Sequence, residues 1–197
     1  MKVIVFDFDG VIHNTFELAY QLNVQILGSH LTREEYRDFF DGNIYDRAEI
    51  TKDASKEFFE LQNEAFRFLK IEEKIKESLI KLAEKYLLFI ISSNQKKALD
   101  IYFQNNNFTN IFKEILGLEA HKSKVEKFKF LFNEYGFGPN DCVFVTDTLG
   151  DILEGNKVGV KSIAVDFGFH GRERLEKGEP FRIVSNFDKI LEVIEEM

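Results

Sequence analysis

The stretch Lys2-Val3-Ile4-Val5-Phe6-Asp7-Phe8-Asp9-Gly10-Val11 sets an unbroken apolar run against two carboxylates and a glycine. Apolar and β-branched residues without polar alternation fit a strand covered on both faces, as in a parallel sheet with helices on each side. Asp7 and Asp9 lie beyond its buried part. Side chains at i and i+2 of an extended chain point the same way, so the two carboxylates can face one site while Gly10 lets the backbone turn. Two acids so close repel unless a cation or a shared proton intervenes, and a hard, oxygen-seeking ion such as Mg²⁺ suits them. An ordinary strand end, with Asp and Gly as turn formers, is the competing reading.

The residues that follow are helical in pattern. Asn14 or Thr15 can cap a helix through Phe16, Ala19, Leu22 and Ile26 that stops at Gly28. Thr32-Arg33-Glu34-Glu35 spells a capping box, and after a polar break at Asp41-Gly42-Asn43 the residues Phe58, Leu61, Ala65, Phe66 and Leu69 recur at helical spacing. Helices inserted directly after a first strand bury one another's apolar stripes as a small bundle, with hinges near Val11 to Thr15 and Lys70 to Lys76.

From Glu73 onward helices alternate with short apolar runs: strands at Tyr86 to Ile91, Glu114 to Leu118, Cys142 to Val145, Lys161 to Val165 and Arg182 to Val184. The intervening helices span Lys96 to Asn106, Ser123 to Tyr135 and Leu149 to Lys157, with a last one from Phe187 to Glu196. This alternation predicts an α/β fold with a doubly wound, Rossmann-like parallel sheet carrying an inserted helical cap domain. The expected division is residues 1–13 and 73–197 as the core domain and 14–72 as the cap.

Ligands of such sheets sit beyond the strand C-termini. There the sequence places Ser92-Ser93-Asn94, whose hydroxyls and amide can bind an anion or simply cap a helix. Ser123 and Glu126 make a capping box that puts Lys124 in a first helical turn, beside the positive end of the helix dipole and well placed for a phosphate. Lys122 is the competing lysine. Thr146-Asp147-Thr148-Leu149-Gly150-Asp151 brings a second acidic pair, with Asp147 in a loop and Asp151 on the next helix, able to hold metal-bound waters or orient Lys124.

Charge and composition narrow the partners. Twenty-six basic against 34 acidic residues give a net charge of −8, which disfavours nucleic acid and anionic membranes. No apolar run approaches the ~18 residues needed to cross a bilayer, and no secretory leader pattern opens the sequence, so a cytoplasmic protein is expected. The single cysteine, Cys142, falls inside an apolar run and reads as a buried thiol. Oligomeric state is not encoded in any visible pattern.

Taken in chain order, Asp7-Phe8-Asp9-Gly10-Val11, then Ser92 or Ser93, then Lys124 or Lys122, then Asp147 with Asp151, resemble the four motifs of the haloacid-dehalogenase-like phosphohydrolase superfamily. The helical insert is similar to its cap, and Asp147 to Arg174 resembles the phosphoglycolate-phosphatase and phosphoglucomutase-like branch. Thr146 departs from that branch, where many members have Gly. The resemblance implies an Mg²⁺-dependent phosphatase acting on a small phosphorylated metabolite. Asp7 would be the nucleophile, Asp9 the acid and base, and Lys124 a charge stabiliser. It implies Asp7, Asp9, Asp147 and Asp151 at the metal, and Gly10, Ser92, Ser93 and Lys124 at the phosphate. A phosphomutase would carry the same motifs, and a receiver-like phosphate-binding module is a third reading. His170 and Arg172 are expected to decorate a loop, and the turn from Asp41 to Arg47 is the insert segment expected to meet substrate.

Overall fold

A computed structural model describes residues 3–28 and 30–197. Lys2, read above as the start of the first strand, lies outside the described residues. The chain forms one six-stranded sheet: β1 (Val3–Phe6), β2 (Leu87–Ile91), β3 (Glu114–Leu116), β4 (Cys142–Thr146), β5 (Lys161–Val165) and β6 (Arg182–Val184). The spatial order is β3-β2-β1-β4-β5-β6 and every neighbouring pair is parallel. β1 is central, with Val3 opposite both Leu87 and Cys142.

Alternation along the strands sorts their side chains onto two faces. Ile4, Phe6, Leu88, Ile90, Val143 and Val145 enter one apolar cluster, covered by α4 (Glu73–Ala83), α5 (Lys96–Asn105) and α9 (Lys189–Glu195). Val3, Val5, Phe89, Ile91, Cys142 and Phe144 enter the other, against Phe128 and Leu131 of α6 (Lys124–Tyr135). Both faces of the central strands are therefore dry, which is why their sequences show no polar alternation. Cys142 is buried, and burial pushes its thiol up to about 12, an inert group.

Between β1 and β2 lie the cap helices α1 (Phe16–Leu27), α2 (Arg33–Asp38) and α3 (Lys52–Phe66). α2 starts at the predicted capping box: Thr32 Oγ1 accepts from Glu35 N, and the Glu35 carboxylate accepts from Thr32 N. Phe16, Ala19, Tyr20, Leu31, Tyr36 and Phe39 form an aromatic-rich cluster. Phe169, from the loop after β5, enters that same cluster edge-on, 5.1 Å from the Phe16 ring and 4.9 Å from Phe40. Phe66, at the far end of α3, instead packs 5.5 Å from Phe8 in the main core.

The structure differs from the sequence reading at several boundaries, among them β2, which starts at Leu87 rather than Tyr86, and β4, which runs on to Thr146. β3 ends at Leu116, because the chain turns so that Leu118 N donates to Asn94 O. The last helix begins at Lys189, since Phe187 is stacked 6.1 Å from Phe6. A short helix, α8 (Arg172–Glu176), occupies what the sequence presents as a loop. Among the described residues no helix is long and apolar enough to cross a membrane.

Candidate active site

β2, β1 and β4 are adjacent, so the residues leaving their C-terminal ends meet where the strand order reverses. Asp7 follows β1 directly and is still in the ladder, its N donating to Val145 O at 2.9 Å. Its Oδ1 accepts from Phe8 N at 2.7 Å and its Oδ2 from Lys124 Nζ at 2.8 Å. The next residues turn sharply: Gly10 has φ +68°, and a Cβ there would sit 1.7 Å from Asp147 Oδ2. Only glycine fits both the left-handed backbone and that contact. Gly10 thus lets Asp7 and Asp147 approach each other's loops.

Asp9 is held from two sides. Thr15 Oγ1 donates to its Oδ1 at 2.5 Å, and Asn94 Nδ2 donates to its Oδ2 at 2.7 Å. Thr15 therefore serves Asp9 rather than capping α1 with its side chain; Asn14 Oδ1 accepts from Phe16 N at 3.3 Å instead. Burial pushes Asp9 up to about 6, against the pull of Thr15, Lys124 and Asn94 toward the ionised form.

Asp147 is buried and its Oδ2 accepts from Phe169 N at 2.7 Å. Asp151 belongs with the lysine: its Oδ2 accepts from Lys124 Nζ and, at 2.6 Å, from Thr146 Oγ1. Thr146 thus has a polar task of its own, on Asp151. Burial opposes charge on Lys124, but Asp151 and Asp7 together hold its ammonium above the ordinary range. Burial likewise opposes charge on Asp151, and Lys124 outweighs it, keeping that carboxyl low. Asp7 and Asp147 go the other way. Burial, with repulsion among the carboxylates, drives both well above the usual range, since one lysine cannot neutralise four acids.

Lys122 is exposed, with Nζ 5.5 Å over the Tyr45 ring, whereas Lys124 is buried at Asp7. The cap of α6 differs from the spelling in the sequence. Ser123 Oγ accepts from Val125 N, but Glu126 pairs with Lys129 and does not close a capping box. Ser123 N donates instead to His121 Nδ1 at 2.9 Å, while Glu154, on α7 (Leu149–Lys157), accepts from Ser123 Oγ at 2.7 Å and Lys124 N at 3.1 Å. Ser92 is fully buried, its Oγ accepting from Asn94 N and its carbonyl from Lys127 Nζ. Ser93 lines the cavity above Asp7 and Asp9, and its carbonyl accepts from Tyr45 Oη at 2.5 Å.

His170 corrects the expectation of a loop ornament. It has no exposed surface; Nδ1 accepts from Leu149 N at 3.0 Å, which leaves Nε2 to donate to Arg37 O at 3.0 Å. Arg37 Nε returns a bond to Phe169 O at 2.9 Å. The pair latches α2 to the loop behind Asp147. Burial pushes His170 down, keeping it neutral in that latch. Arg172 is half-exposed and pairs with Asp166 at 2.8 Å, away from the cavity.

Lys127 and Tyr45 went unnoticed in the sequence. Lys127 lies three residues after Lys124 on the same helix face, a spacing that could have pointed to it. Tyr45 lies in the Asp41 to Arg47 turn, whose contacts with the core are tertiary and have no local signature.

Among the described residues no three His, Cys, Asp or Glu side chains gather as a metal cage. Mg²⁺ needs fewer, keeping waters and phosphate oxygens beside one or two carboxylates. The carboxylates of Asp7 and Asp147 with the main-chain carbonyl of Asp9 are all-oxygen donors. Burial and mutual repulsion disfavour charge on both carboxylates, and a divalent cation would relieve that. The residues present therefore fit the ion.

A capped, doubly wound α/β protein with carboxylates and a buried lysine converging at the strand ends is the class this architecture defines. The chain belongs to the haloacid dehalogenase-like hydrolase family, whose sequence pattern matches residues 4–165. It is similar to a phosphoglycolate phosphatase of Pasteurella multocida, at 26% identity over 125 residues, 61% of this chain and 56% of that protein. It thus spans little more than half of that relative. It is also similar to the pyrophosphatase PpaX of Bacillus pumilus, at 23% identity over 98% of this chain and 96% of that one. In fold it resembles a haloacid dehalogenase-like family hydrolase from Streptococcus pneumoniae, with TM-score 0.80 and 18% identity over 98% of each chain.

Proposed function

We propose that this protein is an Mg²⁺-dependent phosphatase that hydrolyses a small phosphorylated metabolite through an aspartyl-phosphate on Asp7. The observation that carries the reading is Asp7, held by Lys124 at the cavity floor, with Asp9 two residues on and clamped by Thr15 and Asn94. Residues 14–72 act as the cap over that floor, and residues 1–13 with 73–197 form the core. The related phosphoglycolate phosphatase and pyrophosphatase support a phosphoryl substrate.

In the first half-reaction an Asp7 carboxylate oxygen attacks phosphorus while the Asp9 carboxyl gives its proton to the departing ester oxygen. In the second, Asp9, now ionised, takes a proton from water, whose oxygen attacks the same phosphorus and frees Asp7 and inorganic phosphate. Asp9 is suited to both tasks because burial brings its carboxyl near neutrality. Lys124 offsets charge gathering on the phosphoryl oxygens, Asp151 keeps it charged, Ser93 lines the cavity beside it, and Gly10 lets its loop approach Asp147. When bound by Asp7, Asp147 and the Asp9 carbonyl, Mg²⁺ supplies further neutralisation of those oxygens. The cap, seated through Tyr45 and the His170 latch, keeps bulk water from the phosphoenzyme.

The test is phosphate release from an aryl phosphate with and without Mg²⁺, alongside acid-quench trapping of the phosphoenzyme in wild type and Asp7→Asn. Trapped label in the wild type and none in Asp7→Asn is the expected result. Equal turnover by Asp7→Asn would end the reading.

A further inference from the structure

The floor and the roof of the cavity differ in chemistry. The floor carries Asp7, Asp9, Asp147 and Asp151 with Lys124, which is the only cation among the described residues lining the cavity. Lys124 Nζ is already divided between Asp7 and Asp151. The roof is mostly apolar: Phe40, Ile44, Ile50, Phe58 and Phe59 from the cap, joined by Phe169.

Among the described residues no arginine of the cap lines the cavity. Arg33 pairs with Glu17 at 2.7 Å on the surface. Arg37 serves Phe169 O and lies 4.3 Å over the Phe16 ring, Arg67 pairs with Glu64 at 3.4 Å, and Arg47 lies 5.0 Å over Phe39 with its Nε buried and without a partner, outside the cavity lining. The polar groups of the roof are uncharged and mostly tied to the protein: Asn23 Nδ2 to Ala19 O and Tyr36 Oη, Ser55 Oγ to Thr51 O, Tyr45 Oη to Ser93 O. Gln62, on α3, is the exception. Asn94 turns its Nδ2 to Asp9 Oδ2 at 2.7 Å, so its Oδ1 faces Gln62 and accepts from Gln62 Nε2 at 2.9 Å. That sequence of orientations leaves Gln62 Oε1 buried and without a partner.

We infer that the substrate is the phosphomonoester of a small, uncharged, predominantly apolar alcohol, and that the cap discriminates against leaving groups bearing a carboxylate or a second phosphate. This rests on the phosphatase reading for the placing of the phosphoryl group at the floor. With that group beside Lys124, the rest of the ester lies under the roof. A carboxylate there would lose its water without gaining a counter-charge, facing four acids below and a spare acceptor on Gln62. An aliphatic or aromatic group would exchange water for Phe58, Ile44 and Phe169. Phosphoglycolate and pyrophosphate, the compounds named for the two relatives above, are both of the disfavoured kind.

The deciding experiment compares dissociation constants by calorimetry, with Mg²⁺ present, for two phosphonates that cannot be hydrolysed. Benzylphosphonate should bind at least about tenfold more tightly than 3-phosphonopropionate, which places a carboxylate under the roof. Equal or reversed affinities would overturn the inference. Phe58→Arg, at a half-buried position that can accept a longer side chain, should narrow or invert the ratio. An unchanged ratio in the folded variant would show that the leaving group does not lie there. Hydrolysis of benzyl phosphate, phosphoglycolate and pyrophosphate forms a separate arm. Tighter binding of benzylphosphonate without turnover of any ester would remove the phosphatase reading while upholding the selectivity of the roof; preferred turnover of phosphoglycolate or pyrophosphate would remove the selectivity.

Discussion

Gly150 N donates to Phe40 O at 2.9 Å, joining the first turn of α7 to the cap loop. The approach is closer than any side chain allows: a Cβ on Gly150 would lie 2.3 Å from Gly42 O and 2.8 Å from Phe40 O. Both obstacles are backbone, so neither can swing aside. Gly150→Ala should therefore push residues 40–45 off the core, at a cost of about 1–3 kcal/mol, and raise KM more than it lowers kcat. Hydrogen exchange would show faster amides in that loop with the sheet unchanged. Unaltered protection of the loop would mean that the seam adapts at another place.

Lys124→Ala should lower kcat by about 10²- to 10³-fold, the usual loss for one stabilising charge in a dry site. Lys122→Ala should stay within about twofold, because its ammonium is in solvent over Tyr45 and exposed charges contribute little. Steady-state kinetics on both variants decides. Comparable losses would place the essential cation differently.

Thr15 tests the assignment of Asp9 as acid. The proton-donating form is the neutral one, so kcat/KM should fall as pH rises past the Asp9 pKa, held at about 6. The Thr15 hydroxyl favours the ionised form. Thr15→Val keeps the shape and removes that bond, so the falling limb should move to higher pH. A limb displaced to lower pH, or none at all, would contradict the role given to Asp9.

Much of the scaffold is legible in local pattern. β1, α7 and β5 follow from the alternation of apolar runs with helical stretches, and the acids and hydroxyls after β1, β2 and β4 announce that the C-terminal ends of the strands matter. What escapes is whatever depends on partners distant in sequence. Glu126 has the right spacing to close the cap on Ser123, yet it pairs with Lys129, Ser123 N donates to His121 Nδ1, and Glu154 reaches across from another helix to accept from Lys124 N, a buried N–H that needs an acceptor. His170 reads as loop, and its neighbour Phe169 carries no signal, because the short helix beside them has no apolar period. Their burial comes from a cap more than 130 positions earlier in the chain. Arg174, bonded to Glu34 and Asp38, belongs to the same seam and is equally silent in the sequence.

Lys127 offers a prediction with a definite sign. Its Nζ donates to Ser92 O at 2.5 Å from a nearly fully buried position, and burial together with the Lys124 charge pushes its ammonium down to about 8 from an ordinary 10.5. Between those two values the unfolded chain binds more protons than the folded one, so this residue makes stability rise with pH across the window. Below about 8 both states are protonated and the full cost of the buried charge is present; above 10.5 it is gone. The span corresponds to at most about 3 kcal/mol. Lys127→Met removes the titration while leaving Ser92 O without its donor, a constant loss of about 1–3 kcal/mol. Urea unfolding of wild type and variant should therefore show the wild type gaining on the variant as pH rises from 8 to 10.5. Since Ser92 begins the turn that carries Asn94 to Asp9, the variant should lose activity as well. A stability difference constant across the window would mean that Lys127 keeps an ordinary pKa, with its ammonium hydrated in solution rather than buried against Ser92.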